Sequence, residues 1–253
     1  MRIQPLRNRR LLVISLASIF ICLAATSAWS SRTPQQDKIP FPVVNKTQGV
    51  EITKIEVIDK SIHVTFKNVS GKKITAFVLG FDEDDSVSSV SEDFLVSGGG
   101  IPAGETHSVV HSIPQSYSPH PRTGELRFVL MGLVFEDHST DGDPATIRPI
   151  EESRIGTRLF LTQALPLIRD SIDLEGAENL VPLAPLEQRI ASLNLSAHPQ
   201  MPEGVLSGFK SARESMMREL DELKPRSDHG NLRERLTAKL TRDEEFLLRL
   251  QPR

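Results

Sequence analysis

Apolar residues change their spacing along this chain, and each change marks a border. From Leu11 to Ala25 they are nearly continuous, broken only by Ser15 and Ser18. From Val50 to Phe135 they recur at every second position in short runs, which predicts strands. From Ile150 onward they recur at intervals of three and four, which predicts helices.

Within the strand-like part, Ile55 and Val57 alternate with charges. After Asp59-Lys60 the run Ile62-His63-Val64-Thr65-Phe66 alternates again, so two antiparallel strands joined by a tight turn are expected. Ile74 to Phe81 is apolar on both parities, as in a strand covered on two sides, and Asp82 to Asp85 ends it. A strand at Phe94–Ser97, a flexible loop at Gly98-Gly99-Gly100, a strand from Glu105 to Ile113 and a strongly apolar one from Leu126 to Phe135 follow. Short strands at this spacing predict an immunoglobulin-like antiparallel β-sandwich over residues 49–145.

The remainder, 146–253, reads as a helical region. Ile150 to Leu165 fits an amphipathic helix that Pro166 should bend or end, and Leu186 to Leu195 a shorter one. Leu206 to Leu223 carries an apolar seam in which Arg213 is the one polar position, and Asp228 to Leu250 repeats the pattern after a proline-containing break. That pair predicts an antiparallel helical hairpin, its stripes packing within the chain or forming a coiled-coil dimer. Its 11 basic and 10 acidic residues from Glu203 onward interleave, which describes a solvated face and not a basic membrane-surface helix.

The apolar start has a targeting meaning. Arg2, Arg7, Arg9 and Arg10 precede it without an acidic residue, and Ala25, Thr26, Ser27 and Ala28 follow it, so residues 1–30 read as a signal peptide cut near Ala28. Leu11–Trp29 also counts 19 residues, enough for an uncleaved membrane anchor with Trp29 at the outer interface. Either way the body is expected outside the cytoplasm, periplasmic or extracellular, and the membrane is a partner only through this segment if it stays attached. Residues 31–48, with Pro34, Pro40 and Pro42, read as a linker.

Composition narrows the function classes. The only cysteine, Cys22, lies in the targeting run, which leaves the body without disulfide, thiolate metal site or cysteine nucleophile. The charge of −3 becomes −7 when four arginines leave with the signal, and such a body is a poor partner for nucleic acid. Aromatic residues make up 5%, with one Tyr and one Trp, too few for the stacking surfaces that sugar-binding proteins use.

One stretch concentrates donors. Asp137, Ser139, Asp141, Gly142 and Asp143 match the first half of a calcium loop, although position twelve is Arg148 and only Glu151 or Glu152 would supply the missing carboxylate. A strand-to-helix turn accounts for the same residues. Phe135, Asp137, Ser139, Gly142 and Asp143 also resemble a pattern, Phe-x-Asp-Gly-Ser/Thr-x-x-Gly-Asp, of uncharacterised exported bacterial proteins. His138 stands where that pattern has glycine. The resemblance spans residues 50 to 170 and implies a sandwich ending in this motif and followed by helices, without implying an activity.

Other candidates are weaker. His107 and His111 lie roughly 13 Å apart on a strand, too far for one ion, unless His63 or His138 joins one of them across strands. Gly98-Gly99-Gly100 lacks the Lys-Ser/Thr of a phosphate loop, and no nucleophile elbow or His-Glu-x-x-His helix occurs. Asn45-Lys46-Thr47, Asn68-Val69-Ser70 and Asn194-Leu195-Ser196 are glycosylation sequons by pattern. The expectation is a non-enzymatic module that binds a protein or envelope component. The alternatives are an envelope hydrolase with its site near Asp137–Asp143, where His138 would join the carboxylates, and a calcium-stabilised adhesion domain using the same loop.

Overall fold

The computed structural model describes residues 41–83, 86–113, 127–173, 183–195, 200–224 and 232–251, all within the compact unit Ile39–Arg253. The segment 1–30, read as a signal or anchor, lies outside the described residues, as do Pro225 in the break before the last helix and Ser196 of one sequon. No helix among the described residues is long and apolar enough to cross a membrane.

The fold is mixed α+β, with two sheets and four described helices. Strands are β1 (Val43–Asn45), β2 (Val50–Ile58), β3 (Ser61–Asn68), β4 (Ile74–Glu83), β5 (Ser86–Asp93), β6 (Thr106–Ser112), β7 (Arg127–Phe135) and β8 (Thr140–Gly142). Helices are α1 (Pro144–Asp173), α2 (Leu183–Ala191), α3 (Glu203–Glu222) and α4 (Leu232–Arg249). The smaller sheet runs β2-β3-β6 and the larger β1-β7-β4-β5, with β8 also on β7.

Period two becomes sheet as expected. Asp59 and Lys60 both take left-handed backbone, φ 48° and 64°, and close a two-residue turn between Ile58 and Ser61. Phe66, Ile62 and Val64 of β3 then point into a cluster shared with Phe77, Leu79 and Phe81 of β4 and Phe128, Leu130 and Leu133 of β7, so the two sheets face one apolar layer. β4 and β7 are apolar on both parities because they are covered twice: Ala76, Val78, Val129, Met131 and Val134 meet Ile147 and Ile150 of α1 on the other side.

Three expectations need correction. The segment read as a linker holds β1, which pairs parallel with β7 at Val43–Asn45, and Phe41, buried edge-on against Phe81. The strand expected at Phe94–Ser97 is a turn, and the strand sits just before it, at Ser86–Asp93 on the edge of the larger sheet. Of the two outcomes expected at Pro166, bending or ending the helix, ending does not occur, for α1 runs 30 residues through it. A helix-interior proline costs about 3 kcal/mol. Phe160, Leu161, Ala164 and Leu165 before it and Ile168 after it are all buried, and at about 1.5–3 kcal/mol for each large side chain that stripe outweighs the break.

α1 is the spine of the helical part, with α2, α3 and α4 all packed on it. At the crossing with α3 the backbones touch: a Cβ on Gly156 would run into Val205 O, and one on Gly208 into Ser153 O. Arg213, the polar residue in the seam of α3, donates to Leu193 O at 2.8 Å and to Ala191 O at 3.5 Å, so it closes the C-terminal end of α2. Helices and sheets are joined by Arg154 of α1, 7% exposed, which forks onto Asp93 with two bonds of 2.9 Å and onto Thr75 Oγ1 at 3.1 Å.

Candidate functional site

The donor-rich stretch forms the turn between β7 and β8 and the entry to α1. His138 N donates to Phe135 O and Phe135 N to Ser139 O, which closes the turn with His138 in left-handed backbone, φ 63°. That backbone conformation favours glycine.

The oxygen donors are divided among three tasks. Asp137 takes Lys72 Nζ at 2.7 Å and both the N–H and the hydroxyl of Ser139. These partners, Lys72 first, hold its carboxyl well below the usual range. Asp141 Oδ2 instead accepts Gln48 N at 2.7 Å and Gly49 N at 2.6 Å, and so clamps the β1–β2 turn. Asp143 caps α1: its Oδ1 takes Ala145 N at 2.9 Å, its carbonyl takes Thr146 N, and Pro144 fills the first helical position. Among the described residues no group of three His, Cys, Asp or Glu is placed to hold one ion.

The histidines on β6 are likewise separate. His107 packs among Phe66, Phe77 and Phe94, with Glu92 at 3.8 Å. His111 stacks on Phe81 and contacts Phe128 at the other end of the layer. Its Nε2 is buried without a partner, and desolvation lowers its pKa. Neither His63 nor His138 joins them in a group that could hold a metal. Two sequons are built into turns: Asn68 is 0% exposed and donates to Lys72 O and Ile101 O, and Asn45 donates to Val50 O while accepting from Thr47.

A concavity lies elsewhere, among the helices. α3 and α4 diverge over α1 and leave a cleft of about 1170 Å³, floored by Ser153, Thr157 and Leu161. Ser211, Ala212 and Ser215 line the α3 wall, and Ala238, Lys239 and Arg242 line the α4 wall. Lys239, 5% exposed, crosses it to Glu219 at 2.7 Å and holds Asp243 at 2.8 Å, while Arg242 also pairs with Glu219. Arg235 donates to Glu222 O and Leu223 O at the end of α3. Two cations and two carboxylates thus satisfy one another inside the cleft, which offers shape and hydrogen-bonding groups. Arg218, the Glu222 carboxylate and the hydroxyls of Ser153, Thr157 and Ser211 also line it.

Sequence reasoning located both helices of this cleft but not the cleft. The available signal was Lys239 with Asp243 four residues later on the inner stripe of α4, a charged pair where apolar residues were expected. Comparison with protein-family models finds none that matches this chain, and no curated protein matches it.

Proposed function

We propose that this chain is a non-enzymatic interaction module, working outside the cytoplasm and either released by cleavage near Ala28 or held by Leu11–Trp29. In this reading the sheets are an immunoglobulin-like sandwich, and α3 and α4 are an open antiparallel hairpin whose cleft receives a segment of a partner protein. The observation that carries it is the cleft itself: about 1170 Å³ of open space among α1, α3 and α4, in which Lys239, Arg242, Glu219 and Asp243 pair with one another. A docking groove needs shape, exclusion of water and paired charges.

The test is photocrosslinking in intact cells from Ala212 and Ala238, which face the cleft, with Val110 on the exposed face of β6 as control. A discrete adduct from both cleft positions, absent from Val110 and lost when Ser215→Trp fills the groove, is the expected result. Equal labelling from all three positions would overturn the reading.

A further inference from the structure

The turn after β5 carries a second site. Gly98-Gly99-Gly100 is not a slack linker: Phe94 N donates to Thr75 O, Gly98 N to Leu95 O and Gly99 N to Phe94 O. Leu95 is buried in the helical cluster and its N–H is held by Asp93, so the turn is fastened to both the sheet and the helices. Gly98 and Gly100 take φ of 68° and 132°, which only glycine adopts without strain.

Two cationic side chains converge on this turn. The stem of Lys73 lies so close to Gly100 that a Cβ there would sit 2.7 Å from Lys73 Cε, and Lys73 Nζ reaches Gly98 O at 3.3 Å. From the end of α4, Arg249 brings Nη1 to 3.4 Å from where a Cβ on Gly98 would stand. Its guanidinium lies 5.7 Å from the Phe246 ring centroid, and its buried Nε has no hydrogen-bond partner.

The charge of this pair is uncompensated. The buried cations have carboxylates, Arg154 with Asp93 and Lys239 with Glu219 and Asp243, while half-buried Arg213 and Arg235 are held by backbone carbonyls. Neither Lys73 nor Arg249 pairs with a carboxylate among the described residues, and the Gly100 N–H has no acceptor there. Two like charges brought to one rigid turn repel each other, and the desolvated Nε adds a further unmet demand. An anion at the turn offsets both charges.

We propose that Lys73, Arg249 and the Gly98–Gly100 turn form a binding site for a phosphate group. The Arg249 fork and the Lys73 ammonium supply charge-assisted donors, and the glycine backbone lets the group approach without a side chain in the way. The phosphate is either free in solution or part of an anionic lipid headgroup. This site does not depend on the partner reading of the cleft.

Titration calorimetry of the full chain with inorganic phosphate, at low and at high sodium chloride, tests the first source. Flotation with phosphatidylcholine vesicles, with and without phosphatidylglycerol, tests the second. Lys73→Gln and Arg249→Gln are expected to weaken binding about tenfold each, as loss of a charge-assisted bond does, and salt is expected to weaken the wild type further. Because the N-terminal segment can itself enter vesicles, the decisive quantity in flotation is the difference between wild type and variants on phosphatidylglycerol. Should Arg249→Gln fail to give a native circular dichroism spectrum, Lys73→Gln alone decides. Heat with phosphate that both variants lose supports a free ligand, and a flotation difference without such heat supports the headgroup. Absence of both, or binding that the variants leave unchanged, overturns the site.

Discussion

The layer between the sheets and the layer among the helices solve the packing problem differently. Between the sheets the interior is apolar and rich in phenylalanine, and its polar members, His107 and His111, stand half-buried on edge strand β6. Among the helices the apolar cluster is interrupted by a bare backbone contact at Gly156 and Gly208 and by a buried lysine with its carboxylates. An apolar layer tolerates small changes of shape, whereas a close backbone crossing and a paired buried charge tolerate almost none. The helical part is therefore more brittle to single substitutions, and it is also the part that holds the cleft.

The largest break is expected at Lys239. Lys239→Ala leaves buried Asp243 with only the exposed Arg242, 3.6 Å away, and should cost about 3–5 kcal/mol in urea unfolding. Lys239→Met combined with Asp243→Leu should recover most of that loss, because it removes both charges. Gly156→Ala comes next, at about 3 kcal/mol, since α3 must move away from α1. An Ile62→Val change in the sheet layer, at about 1 kcal/mol, is the matched control.

Asp141→Ala should cost about 1–2 kcal/mol, because two backbone N–H groups lose a charged acceptor, and amide exchange should quicken at Gln48 and Gly49. Asp137→Ala, at the same turn but on the surface, should cost less.

His111 tests the margin of the sheet layer. Its folded pKa lies below 6.5, so the unfolded chain binds the proton more readily. Stability from this group is full above pH 6.5 and falls as pH drops toward the folded value. His111→Phe should flatten that part of the stability-against-pH curve. The smallest effect is a gain: His138→Gly should stabilise by about 0.5 kcal/mol, as relief of left-handed strain exceeds the added freedom of the unfolded chain.

What the sequence made legible follows from range. β2, β3 and β6 are written in local alternation, and the two covered faces of β4 and β7 in their unbroken apolar runs. β5 reads Ser-Val-Ser-Ser-Val-Ser, with too few apolar residues to announce a strand, because an edge strand is fixed by its neighbour β4 and not by burial. β1 is three residues long beside Pro40 and Pro42, and its partner β7 lies more than eighty positions away. The stretch from Asp137 to Asp143 shows the same limit in a site. Its spacing displays oxygen donors, yet Asp137 is claimed by Lys72, Asp141 by Gln48 and Gly49, and Asp143 by the start of its own helix. Asp143-Pro144 as cap and first residue of a helix was readable locally; the other two partners were not.

For a body tethered by its N-terminus, as proposed, β1 is where tension arrives first. Its ladder with β7 is parallel, Pro42 O takes Phe128 N, Lys46 N donates to Leu130 O, and Asp141 grips the residues just beyond. A pull along the strand axis strains these bonds together instead of opening them one at a time, so three short residues become a mechanical fastening.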